Sequence, residues 1–194
     1  MSRLVQERLE GAGLLAWLDL RAQNRATADA ELRERLARVD LLTLGAAADL
    51  VRRRECGEET RVYVPFPPAP SETLVLVGQT EAARGSLLLR KIAVLRLTAS
   101  VGLRIAVDFG VVGLEIAQVS LSFGATDLAG PIASRRGLPL ADVDEARKLF
   151  KRAEIAGYVE RAGFRPVFVA TDAPASSGDG APSAAPAARA HAES

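Results

Sequence analysis

The chain is poor in the residues on which most enzyme chemistry rests. Its single cysteine, Cys56, excludes an intramolecular disulfide, a multi-cysteine zinc site and a self-contained iron–sulfur cluster. Its single histidine, His191, lies near the end of the chain, which removes the usual general base and most histidine-ligated metals from the rest. Charge of one sign is also lacking: 25 basic residues face 24 acidic ones, a formal net charge of +1. No electrostatic footprint for nucleic acid or an anionic membrane follows from that balance. Neither a signal-peptide pattern nor an apolar run of about 18 residues occurs, so the expected location is cytoplasmic, with no membrane partner. No cofactor is expected on these grounds. What is present in quantity is aliphatic: 48% of the 194 residues are hydrophobic and only 5% aromatic, enough to bury the core of one ordinary domain.

Three regions follow from the patterning. Residues 1–57 read as a helical N-terminal segment. Leu4, Val5, Leu9, Leu14, Leu15 and Leu18 mark a first amphipathic stretch, weakened at Gly11 and Gly13. Thr27 is the expected cap of a second helix, with Leu32, Leu36 and Val39 on one face. Asp40 is the expected cap of a third, which runs through Leu41, Leu44, Ala48 and Val51 and stops at Gly57. Its closing triplet Arg52, Arg53 and Arg54 reads as a solvated last turn that favours the helix dipole.

Residues 58–172 alternate between strand and helix signals. Arg61–Phe66 is β-rich and ends at Pro67 and Pro68, and Glu72–Val77 is a second apolar run. A helical face over Leu88, Ile92, Leu95 and Ala99 precedes a buried-strand candidate at Leu103–Phe109. Val111–Phe123 follows as a helix with Gly124 at its end; another helix starts near Asp142 or Asp144 and stops at Gly163; Pro166–Ala170 closes as a strand. Strand–helix–strand order implies parallel strands in an α/β fold, too few for an eight-fold barrel of about 250 residues. The tail, residues 173–194, is almost entirely Ala, Pro, Ser and Gly. It lacks the apolar area that would offset the entropy of ordering and is expected to be disordered.

Lys91–Ile132 carries the elements I-A-V-x-R (Ile92–Arg96), G-L-x-x-A-Q (Gly113–Gln118) and L-S-F-G-A-x-D-L-x-G (Leu121–Gly130). With Tyr63–Thr73 upstream and Ala162–Thr171 downstream, this stretch resembles the C-terminal part of the radical S-adenosylmethionine enzymes of the futalosine menaquinone pathway. Aminofutalosine synthase and cyclic dehypoxanthinyl futalosine synthase are the nearest in pattern. The resemblance covers about residues 60–172 and implies a partial, half TIM-type barrel. The helix before Tyr63 matches either the family's first helix or the one preceding the later strand inside the barrel.

The family's cluster-binding C-x-x-x-C-x-x-C loop is absent from the sequence, so radical chemistry by this chain alone is excluded. Polar residues of the family's site are also replaced: Ser100 and Val101 stand for an Asp-Asn pair, Arg104 and Ala106 for a His and a Lys, Asp108 and Phe109 for an aromatic pair, and Thr126 for the first acid of D-D-L, while Asp127 remains. Backbone-shaping residues such as Gly113, Gly124 and Gly130 are kept. That is the pattern of a pseudoenzyme.

Five residues are candidates for binding. Asp127 has a ligand-binding place by resemblance and a turn-capping role by residue type. Gln118 lies on a helix, where a buried bond to the backbone competes with ligand contact. Arg96 is expected to tie helix to strand through a carboxylate, Asp108 or Asp127, or else to bind an anion. Arg104 and Asp108, four apart on one strand, share a face, either as a new site or as a surface ion pair. Cys56, beside Arg54, is a reactive thiol or a bland helix end. The function expected is that of a non-catalytic partner or regulatory protein, associating with itself as a homodimer or with a menaquinone-pathway radical S-adenosylmethionine enzyme. The alternatives are the substrate-binding half of a split enzyme and a small-ligand binder using the remnant cavity. The segment Leu4–Leu20, with Trp17, is a candidate cover for an open sheet edge.

Overall fold

The helical patterning of the first 57 residues and the alternation after them resolve, in the computed structural model, into a mixed α/β fold. The structure describes residues 2–26, 28–64, 71, 73–78, 85–133 and 149–171. Within them the order is α1 (Arg3–Gly11), α2 (Leu15–Ala22), α3 (Ala30–Arg38), α4 (Leu41–Cys56), β1 (Glu59–Val64), β2 (Leu74–Val77), α5 (Gly85–Thr98), β3 (Arg104–Asp108), α6 (Phe109–Val112), α7 (Leu114–Leu121), β4 (Asp127–Ala129), α8 (Arg152–Arg161) and β5 (Arg165–Ala170).

Capping explains several boundaries. Asp40 accepts the Thr43 N–H at 3.0 Å and starts α4. Asp29, rather than Thr27, caps α3 by accepting the Leu32 N–H at 2.8 Å; Thr27 lies outside the described residues, as do Asp142 and Asp144. The helix expected over Val111–Phe123 is two helices, because Gly113 at φ 85° breaks the ladder between α6 and α7. β4, with only three residues and no alternating pattern of its own, carries no strand signal in the sequence.

All pairings in the sheet are parallel, in the order β2-β3-β4-β1-β5. β2, β3 and β4 follow one another as consecutive barrel strands would. β1 does not: it sits between β4 and β5, three places from β2. The main core joins the helices to the strand face bearing Val62, Val64, Val77, Ile105, Val107 and Leu128. The opposite face forms a separate small cluster of Tyr63, Leu74, Ala106 and Ala129, with Leu76 and Val169 at its margin, and no described helix contributes to it.

Trp17 and Leu18 of α2 join the main core, and α1 and α2 both pack on α4. The N-terminal segment therefore covers a helix rather than the sheet edge expected for it. At the β5 edge, Arg165 N–H donates to Glu58 O and Thr171 N–H to Val64 O. Odd-numbered residues of β5 thus turn their N–H groups to β1 and even-numbered ones turn outward. Pro166 occupies an outward position, where its missing donor costs the ladder nothing.

Candidate functional site

α4 and α5 run back across the sheet so that their last turns meet the N-terminal ends of the strands. In each, a row of apolar residues four apart ends in arginine: Leu44, Ala48, Arg52 on α4 and Leu88, Ile92, Arg96 on α5, all six buried. Arg52 donates to the carbonyls of Ala125 (3.1 Å), Gly57 (2.5 Å) and Glu59 (3.1 Å) and to Thr60 Oγ1 (3.0 Å). Its guanidinium stacks 3.6 Å from the Phe164 ring centroid. Burial pushes its pKa down to about 10. The expectation of a mostly solvated arginine triplet fails at one position: Arg53 pairs with Asp49 at 2.8 Å near the surface, but Arg52 is fully enclosed.

Arg96 donates to the carbonyls of Gly124 (3.0 Å) and Leu103 (2.7 Å). Its nearest carboxylate is Glu55, 4.0 Å away, and not Asp108 or Asp127 as expected. Burial lowers its pKa. Gly124, at φ 101°, lets the chain pass so close that a Cβ there would stand 2.8 Å from Arg96 Cβ and Cγ. The two arginines together tie down the starts of β1, β3 and β4.

On the face free of described helices, Arg104 opens β3 and Asp127 opens β4. Arg104 Nε lies 2.9 Å from Asp127 Oδ2 and Nη2 lies 2.6 Å from Oδ1, a two-pronged pair. Thr126 Oγ1 donates to Asp127 Oδ2 at 2.6 Å and accepts the Ile105 N–H at 2.8 Å. Burial alone would lower the Arg104 pKa, but the Asp127 hydrogen bonds and charge outweigh it and raise it. Tyr63, on the same face of β1, is held above the usual phenol range by burial first and by the Asp127 charge second.

Arg104 and Asp127 are therefore brought together, though across strands and not along β3. Asp108 also lies on this face, at the far end of β3. Its Oδ1 accepts the Gly110 N–H at 2.9 Å and starts α6. Gln118 is half-buried on α7, with no side-chain hydrogen bond among the described residues; the expected tie to the backbone is absent there. Arg96 and Gln118 belong to the helical side, so the five candidates do not converge. A cavity of 300 Å³ beside the C-terminal edge of β3, with Phe109, Val112, Glu115 and Phe150 in its wall, contains none of the five.

No protein-family model, curated protein or solved structure matches the chain. Among the described residues no group of three His, Cys, Asp or Glu side chains is placed to hold a metal ion, and no helix is long and apolar enough to cross a membrane.

Tyr63, Thr126, Arg52 and the ion pair of Arg21 with Glu55, at 2.7 Å, are contributors that the residue types and spacings did not single out. For Arg52 a signal existed: it continues the Leu44–Ala48 row at a four-residue interval.

Proposed function

We propose that the protein is a non-catalytic binding protein, a pseudoenzyme scaffold derived from the C-terminal half of a futalosine-pathway radical S-adenosylmethionine enzyme. It acts by associating with a second copy of itself or with an enzyme of that pathway. On this reading the sheet is the remnant of a barrel, with β1 placed beside β4. One observation carries the association reading: the all-parallel sheet has its described helices on a single face, whereas parallel sheets are stable when both faces are covered. At the margin of the other face Leu76, Val167 and Val169 remain half-exposed.

The polar candidates favour this over a ligand-binding role. Arg104 and Asp127 neutralise each other, Asp108 holds a helix start, and Arg96 is spent on carbonyls. Light scattering over a concentration series, together with affinity capture from source-cell lysate and mass spectrometry, tests the reading. A dimer that Val167→Glu dissociates without unfolding supports self-association. Stoichiometric recovery of a chain with the C-x-x-x-C-x-x-C loop supports the enzyme partner. A monomer at every concentration that recovers only itself overturns both.

A further inference from the structure

α1 packs on α4 and turns Val5, Leu9 and Ala12 into the core. Leu4, Glu7, Arg8 and Gly11, spaced three and four residues apart, share its exposed flank. Two cavities open along that flank, and Arg8 stands in the wall of both. Beside the N-terminal half of α1 lies an apolar groove of about 180 Å³, bounded by Leu4 and Val5 and by Leu42 and Ala46 of α4. Beside the C-terminal half, against α3, lies a much wider cleft of about 770 Å³ whose apolar lining is Gly11, Ala12 and Val39.

The two ends of this trough differ in relief. The first projects, with Leu4 64 % and Leu42 78 % exposed. The second recedes, since a Cβ placed on Gly11 meets nothing within 4 Å. A surface with knobs at one end and a hollow at the other complements itself when a second copy is turned end for end. Charge obeys the same rule. A two-fold axis crossing α1 between Glu7 and Arg8 sets Leu4 opposite Gly11 of the second copy and Glu7 opposite its Arg8, once on each side. Arg8 makes no hydrogen bond or ion pair among the described residues, although its charge is felt at Asp40 in the cleft wall. Glu7 gives one oxygen, Oε1, to Arg3 at 2.8 Å.

We propose that this flank is a homodimer interface, in which α1 of a second copy lies antiparallel in the trough. Leu4 and Leu42 of each copy seat in the wide cleft of the other, and two Glu7–Arg8 ion pairs cross the axis. Arg3, 93 % exposed, reaches the acidic side chains Glu31 and Glu34 that α3 contributes to that cleft. Such a contact closes at two copies. It lies on the helical side of the sheet and does not depend on what binds the other face.

Sedimentation velocity on the full chain, over about 1 to 500 µM, reads the dimer. Leu42→Glu, Glu7→Arg and Arg8→Glu are each expected to weaken it about ten-fold or more, through a buried charge or a like-charge contact. The double variant Glu7→Arg with Arg8→Glu re-forms the pairs with reversed sign and is expected to return to within about three-fold of the parent. All three positions are exposed, and unchanged melting temperatures confirm that each variant folds. Val167→Glu, on the sheet, is expected to leave this dimer intact. A chain monomeric throughout, or a double variant no tighter than either single one, overturns the proposal. A dimer that Val167→Glu dissolves and Leu42→Glu does not also overturns it, and assigns self-association to the sheet face instead.

Discussion

Arg104 and Asp127, 23 residues apart in sequence, meet as the first residues of neighbouring strands and form a two-pronged ion pair whose carboxylate is fully buried and whose guanidinium side chain is 20 % exposed. Removing one partner of such a pair leaves the other charged and poorly solvated. Asp127→Ala is therefore expected to cost about 3 kcal/mol, whereas the double replacement Arg104→Met with Asp127→Leu costs about 1 kcal/mol or less. Denaturant unfolding of the three chains measures both. A loss below about 1 kcal/mol for Asp127→Ala would show the pair to be ornamental.

The arginine triplet at the end of α4 should divide sharply. Arg52→Met forfeits four hydrogen bonds, two of them to the buried residues Ala125 and Thr60, and is expected to cost about 3 kcal/mol. Arg53→Ala removes a surface pair with Asp49 and part of a stack on Phe164, and is expected to cost about 1 kcal/mol or less. Equal melting temperatures for the two variants would contradict the geometry.

Two glycine-to-alanine changes give a steric contrast. At Gly124 the positive φ and the 2.8 Å approach to Arg96 make Gly124→Ala destabilising by about 2–4 kcal/mol. At Gly11, the last residue of α1, nothing lies within 4 Å, and Gly11→Ala is expected to be neutral or to stabilise by up to about 1 kcal/mol. Thermal unfolding of both reads the difference.

Stability toward acid contains an identifiable contribution from Asp40. Its hydrogen bonds with Thr43 hold its carboxyl below the ordinary 3.8. A depressed folded pKa means the stabilisation is complete above 3.8 and is lost as pH falls through the lower folded value. The Asp40→Asn chain keeps a capping acceptor without the charge, so its unfolding free energy should fall less between about pH 5 and pH 2 than that of the parent. Parallel acid-unfolding curves would remove Asp40 from the account.

The alkaline side has the opposite sign at Tyr63. Burial and the neighbouring Asp127 raise its pKa above 10.0, so the unfolded chain releases that proton first. Stability then declines as pH rises from about 10 toward the folded value. Tyr63→Phe should flatten that decline, as followed by urea midpoints between about pH 9 and pH 11.

Helices with long apolar rows were legible in the sequence. Asp40, Leu44 and Ala48 located α4, and Leu88 and Ile92 located α5, because burial on one face repeats at helical spacing. β4 was not legible. Leu128 is the only large apolar residue among its three, and its strand geometry is imposed by β1 and β3 on either side. The site was half legible for the same reason. Local spacing placed Arg104 and Asp108 on one face, correctly, but pairing across strands depends on register, and register brought Arg104 to Asp127. The charged run Arg52–Arg54 hid a core residue, since composition does not distinguish a guanidinium in water from one resting on Phe164 among carbonyls.

Pro166 bears on how such a chain assembles. With its ring turned to the side of β5 away from β1, where no described strand pairs, the outward N–H groups left on that strand are those of Phe168 and Ala170. A strand from another molecule laid against this border would lack a rung near its start and find no continuous template to extend. Crowding of copies should therefore yield discrete, side-chain-mediated complexes that saturate at a fixed stoichiometry, and not ribbons that lengthen with concentration.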